Sequence, residues 1–166
     1  MIDWTKLAID VGSITELGER GGSGYAQHAL EEIIGEQNII NGVEHVLEGR
    51  LGAELVMSVL SYSHSLKALE LAYKEYKTSS GQRAATAVWL IKQICHTRSI
   101  EWIEEFLSDD NVAGWGVGVL DQLLWKHSIQ PEEVEHLIVL AEHHAIKQIR
   151  EQATFIRQYL KDRGYE

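Results

Sequence analysis

Chain breaks recur at nearly even intervals along this sequence, and that rhythm limits what it can fold into more than any other feature. Turn-forming residues cluster at Gly21-Gly22-Ser23-Gly24, around Gly35, from Gly49 to Gly52, at Thr78-Ser79-Ser80-Gly81, at Asp109-Asp110-Asn111 and at Ser128-Ile129-Gln130. Between them apolar residues recur at helical spacing. Ile146, Ile149, Ala153, Ile156 and Leu160 alternate in steps of three and four, while Lys147, Arg150, Glu151 and Lys161 point elsewhere. Gly164 suits a C-terminal stop. Ile100, Ile103 and Leu107 define one face of another helix, with Glu101, Glu104 and Glu105 on the others. Gln130-Pro131-Glu132-Glu133 reads as a helix start, with proline at the first helical position and acids near the positive end of the dipole. The pattern predicts about nine or ten helices, most of roughly 10–17 residues. Strands are not expected, because no β-branched run is bounded by turn signals.

The breaks carry a period. Ser65-Leu66-Lys67-Ala68-Leu69 matches Ser99-Ile100-Glu101-Trp102-Ile103 at an offset of 34, which also sets Leu55 on Trp89, Val56 on Leu90 and Leu60 on Ile94. A second step of 34 sets Val134-Glu135-His136-Leu137 on Ile100-Glu101-Trp102-Ile103, and Leu123 and Leu124 on Trp89 and Leu90. Each unit is then a first helix, a short turn and a second helix, and neither helix can bury its apolar face alone. The expected fold is all-α, an α-solenoid of stacked antiparallel helix pairs in one domain, residues 1–166. Residues 1–24 form an N-terminal capping segment carrying Trp4, Leu7 and Val11, residues 25–144 the pairs, and residues 145–163 a closing helix.

This pattern resembles HEAT-like repeats over about residues 52–160. Asn111-Val112 leads into Gly116-Val117, then Leu120 and Leu123, while Ile149-Arg150 with Ala153-Thr154, and Gln82-Arg83 with Thr86-Ala87 and Leu90, are weaker echoes. The tetratricopeptide length fits, but its Trp-Leu-Gly-Tyr and Ala-Phe-Ala-Pro markers are missing. The resemblance implies an architecture and a binding habit rather than one function. The basic groove expected of HEAT-like DNA-repair enzymes is lacking, which speaks against that activity.

Charge narrows the partner. The net charge is −10, and residues 98–144 hold ten acids against two bases, Arg98 and Lys126. Such a surface repels phosphate backbones and anionic lipid, so neither nucleic acid nor membrane is an expected partner. It attracts a basic protein and speeds the encounter. The plainer use of an acidic surface is solubility. The start, Met1-Ile-Asp-Trp-Thr-Lys, has no cationic run before an apolar one, no stretch approaches a membrane span, and a cytoplasmic location is expected.

No complete catalytic or metal-binding motif is present. Gly114-Trp115-Gly116-Val117-Gly118 lacks the preceding strand, the third glycine and the ribose-binding acid of a dinucleotide site; close helix packing through Gly114 and Gly118 is the expected explanation. Gly21-Gly22-Ser23-Gly24 is followed by no Lys-Ser or Lys-Thr. His136 one turn after Glu132, and His143 and His144 beside Glu142, could face a metal, yet imidazoles near a helix C-terminus need no metal to be favourable. Cys95, in an apolar stretch, reads as a buried structural thiol. No cofactor, metal or catalytic residue is expected.

Trp102 stands apart from the other tryptophans, because Ile100, Ile103 and Leu107 already define its helix's apolar stripe. The repeat aligns it with Ala68 and His136 on the neighbouring second helices, and sets Glu101 beside Glu135. An aromatic anchor ringed by acids suits a basic partner. The expected partner-binding residues are therefore Glu101, Trp102, Glu104, Glu105, Glu135 and His136. The expected function is a non-catalytic module holding a basic protein, in one version an immunity protein or antitoxin masking a toxin. The alternative is an enzyme or small-molecule handler akin to lyases with HEAT-like repeats, which would need a pocket of converging polar groups.

Overall fold

The computed structural model describes residues 1–165. It is mostly helical: α1 (Trp4–Asp10), α2 (Ser23–Ile34), α3 (Glu36–Leu47), α4 (Ala53–Tyr62), α5 (Leu66–Thr78), α6 (Gly81–Ile94), α7 (Ile100–Ser108), α8 (Ala113–Trp125), α9 (Glu135–Glu142) and α10 (Lys147–Asp162). The expectation of no strands needs one small correction. After α1 the chain forms a two-stranded antiparallel hairpin, β1 (Ile14–Thr15) with β2 (Gly18–Glu19).

Helices pack in sequential pairs, α3 on α4, α5 on α6, α7 on α8 and α9 on α10. This shifts the expected phase. The helices expected to pair, α4 with α5, α6 with α7 and α8 with α9, are not the tightly packed ones, and the closing helix α10 is the partner of α9. Contacts also link α3 to α5, α7 to α9, and α4 to α6, α6 to α8 and α8 to α10 in turn.

Local chemistry explains the helix ends. All six expected breaks lie at or between helix ends, and Gly49 and Gly52 take positive φ of 62° and 89° between α3 and α4. The turns after α4 and α6 went unread because no glycine marks them. His64, Cys95 and His127 adopt left-handed φ of 46°, 53° and 53° just past the ends of α4, α6 and α8, a role more often given to glycine. Pro131–Glu133 forms a 3-10 turn, with the Glu133 carboxylate accepting from the Gln130 N–H at 3.1 Å, and α9 begins only at Glu135. Ser65 caps α5 by accepting from Ala68 N–H at 3.0 Å, while its hydroxyl donates to Glu31 of α2 at 2.6 Å.

The core follows the expected stripes where they were read. Ile149, Ala153, Ile156 and Leu160 are buried on α10, and Ile103 and Leu107 on α7. Glycine packing is real but sits elsewhere than expected. A Cβ on Gly116 would come within 2.6 Å of Phe106 Cβ and 3.2 Å of its backbone carbonyl carbon, so α7 and α8 touch backbone to backbone there. Gly114 faces open space, and Gly118 leaves room for the Lys92 side chain. The capping segment is thinly anchored: α1 packs on α2 yet buries no residue, and Trp4 is exposed.

Candidate acidic binding face

Six positions were expected to form one site on α7 and α9, and these two helices do pack against each other. Glu101 and Glu104 lie three residues apart on the exposed side of α7, and His136 is exposed on α9. The other three are otherwise engaged.

Trp102 is not the exposed anchor expected of it. It is only 8% exposed, with its ring stacked on Tyr73 of α5. The buried stripe of α7 is wider than the three residues read from the sequence, because it includes Trp102 and Phe106 as well as Ile103 and Leu107. On α9 the matching buried set is Leu137, Ile138 and Ala141. Helix starts explain the error: Leu66 to Ile100 is a step of 34, but Ile100 to Glu135 is a step of 35. Trp102 thus corresponds to buried Leu137, not to exposed His136. One residue of slip turns a helical position by about 100°.

Glu105 and Glu135 are bound within the fold. Glu105 accepts from the Tyr73 hydroxyl at 2.7 Å and pairs with Lys77, both on α5. Burial pushes its carboxyl up, but the hydrogen bonds from Lys77 and Tyr73 outweigh that and hold it below the ordinary range. Glu135 accepts from both terminal guanidinium nitrogens of Arg157, at 2.6 and 2.7 Å, and those bonds lower its pKa. Arg157 also reaches Glu142 at 2.8 Å. Elsewhere Arg83 joins Glu44 of α3 to Glu75 of α5, and Arg98 pairs with Glu70.

Glu44, Glu75, Glu105, Glu135 and Glu142 each meet a cation on another helix, while Glu31 accepts from the Ser65 hydroxyl and half-buried Asp121 makes no ion pair among the described residues. Glu101, Glu104, Asp110 and Glu132 are exposed and, among the described residues, make no ion pair.

The histidines serve the backbone. His144 Nδ1 accepts from Ile146 N–H at 3.0 Å, so Nε2 carries the hydrogen donated to Leu107 O at 2.8 Å, tying the α9–α10 turn to the end of α7. His143 Nδ1 lies 2.9 Å from Val139 O. Among the described residues no group of three His, Cys, Asp or Glu side chains could hold a metal ion. No helix among them is long and apolar enough to cross a membrane.

Two hollows bear on the site. One, of about 830 Å³, lies between the Pro131 turn and α10, and its arginine, Arg157, is already committed to Glu135 and Glu142. A second, about 610 Å³, is lined by Leu51, Trp89 and Trp115 and was not anticipated. Of its lining, Leu51 is fully exposed in the turn before α4, and Leu55, Val59 and Tyr62 are exposed on α4 outside the hollow. Comparison of the chain with protein-family models, curated proteins and solved structures returns no match to any of them.

Proposed function

We propose that this chain is a non-catalytic protein-binding module of HEAT-like helical-repeat architecture, holding a basic partner protein against the exposed carboxylates of α7 and the turns beside it. The specific version is an immunity protein or antitoxin whose basic partner is a toxin. Contacts of α4 with α6, α6 with α8 and α8 with α10, beside those of α3 with α5 and α7 with α9, support the repeat reading.

The single observation that carries the binding reading is the sorting of the acids. Glu105 and Glu135 are neutralised internally, whereas Glu101, Glu104, Asp110 and Glu132 are left exposed without an ion pair among the described residues. Unpaired like charges repel one another and cost stability unless a cationic surface meets them, and they steer such a surface in. Trp102 drops out as the anchor, since its ring is spent on Tyr73.

The test is capture from native lysate at low and high salt, comparing the wild type with Glu101→Lys/Glu104→Lys. Both side chains are exposed, so the double variant should fold as the wild type does. A basic protein retained at low salt, released at high salt and lost by the variant supports the reading; toxicity of that protein expressed alone supports the immunity version. Equal retention by both proteins would reduce the acidic face to a solubility device.

A further inference from the structure

Helices α4, α6, α8 and α10 contact one another in that order, and an open furrow crosses their N-terminal turns. The 610 Å³ hollow is walled by Leu51, by Gln82, Thr86 and Trp89 of α6, and by Trp115 of α8. Beyond Trp115 lies a second hollow of about 490 Å³, lined by Asp110, Asn111, Gln148 and Gln152. Trp115 forms a wall of both, is 39% exposed, and stands 6.5 Å from Trp89 between ring centroids. Leu51, in the wall of the first hollow, is 99% exposed. Large apolar side chains gathered at the surface mark a place where something docks.

Charge decides what docks. Arg50, the cation in the furrow's walls, pairs with Glu48, and the ammonium of nearby Lys92 lies 5.9 Å from the Trp115 ring centroid. The carboxylates of Glu54 and Asp110, in the walls of the two hollows, make no ion pair among the described residues. A second copy of this chain, at −10, would bring like charge against like.

We infer that this furrow is a second contact surface, which takes a peptide segment of the basic partner carrying large apolar side chains flanked by Lys or Arg. The inference rests on the protein-binding reading above and adds the apolar anchor that Trp102 does not supply. The apolar side chains fill the hollow between Leu51 and Trp115, and the flanking cations meet Glu54 and, beyond Trp115, Asp110.

The experiment titrates the ¹⁵N-labelled full chain with two synthetic peptides, one with Leu and Phe set among lysines and its counterpart with every Lys replaced by Glu. The five indole N–H signals, assigned by Trp→Phe variants, are the readout. The lysine peptide should shift the Trp89 and Trp115 signals saturably and leave buried Trp102 unmoved, and Trp115→Ala should weaken it at least tenfold. Glu54→Lys/Asp110→Lys should abolish the preference for lysine over glutamate. Equal shifts by both peptides, or an unmoved Trp115, would overturn the inference, as would shifts that follow protein concentration without peptide, which would assign the furrow to a second copy. Native-lysate capture separates the two proposals. Partner kept by Trp115→Ala but lost by Glu101→Lys/Glu104→Lys removes the furrow alone; the converse pattern removes the α7 face alone.

Discussion

The indole of Trp102 lies face to face with the phenol ring of Tyr73, with centroids 4.0 Å apart and planes 5° from parallel. Tyr73 in turn donates its hydroxyl to Glu105 at 2.7 Å, so ring stacking and a charged hydrogen bond together hold α7 on α5. Trp102→Ala should destabilise the protein by about 3–5 kcal/mol, since a large buried ring is lost and the space cannot fully close. Glu101→Ala, on the exposed side of the same helix, should stay within about 0.5 kcal/mol of wild type. Urea unfolding of both variants checks the contrast; similar midpoints would mean the stack is not structural.

Gly114 and Gly116 sit two residues apart on α8 and should respond in opposite directions. Alanine at Gly114 meets nothing within 4 Å, so it should stabilise by about 0.5–1 kcal/mol through helix propensity. Alanine at Gly116 would drive a methyl to 2.6 Å from Phe106 Cβ, and backbone lies directly behind. Forcing α7 and α8 apart should cost about 1–3 kcal/mol in spite of the same propensity gain. Thermal unfolding of the two alanine variants settles it: two shifts of the same sign would contradict the close approach.

These cases show what the sequence could and could not yield. The α10 stripe was legible because Ile149, Ala153, Ile156 and Leu160 meet one continuous core while charged residues occupy the rest of the helix. The acids of α7 were legible as a group, but not their fates: Lys77 of α5 and Arg157 of α10 reach Glu105 and Glu135 from distant parts of the chain. Trp102 was misplaced because the buried stripe of α7 reaches past Ile100, Ile103 and Leu107 to Trp102 and Phe106, and its match to His136 failed because a longer α8–α9 connection stretches the period by one residue. The turns at His64 and Cys95 hid because their left-handed residues are not glycine.

Acid should destabilise this fold. Arg83 holds the Glu75 carboxyl below the ordinary range, and Arg157 does the same for Glu135. For Glu105 burial pushes upward, yet Lys77 and Tyr73 prevail and the net direction is down. Each is lower in the folded than in the unfolded chain, so its contribution is complete above the unfolded value of about 4.3 and fades as pH falls below it. Asp121 opposes this, since burial raises its carboxyl, but it stands alone against these three and against Glu36 and Glu48, which Lys67 and Arg50 also hold low. Tm should therefore drop between about pH 5 and pH 3. Arg157→Gln should remove part of that drop, a small part because Glu135 is half exposed and water screens the pair. At the other end, burial pushes the Tyr73 and Tyr76 hydroxyls up to about 12. Their raised values add stability that is full below the free-tyrosine value of about 10 and lost as pH climbs towards the folded value. A Tm profile flat from pH 5 to 3 would mean these ion pairs do not form.

Cys95 offers a test of the unusual helix ends. Its side chain is 2% exposed, burial pushes its thiol up, and its backbone is left-handed at φ 53°. A thiol-specific reagent should therefore label the native protein far more slowly than the urea-unfolded chain, and the native rate should follow global opening. The backbone adds a second expectation that ordinary core positions would not share. Within a helix, glycine is less stable than alanine by about 1 kcal/mol. At a left-handed position a Cβ costs about 1–2 kcal/mol, so the order inverts and Cys95→Gly should be more stable than Cys95→Ala. The exposed residue His127, at the same φ and with little burial to lose, should show the same inversion more cleanly in His127→Gly against His127→Ala. If alanine proved the more stable at both sites, the left-handed caps after α6 and α8 would be wrong, and with them the sharp turns that redirect the chain into α7 and α9.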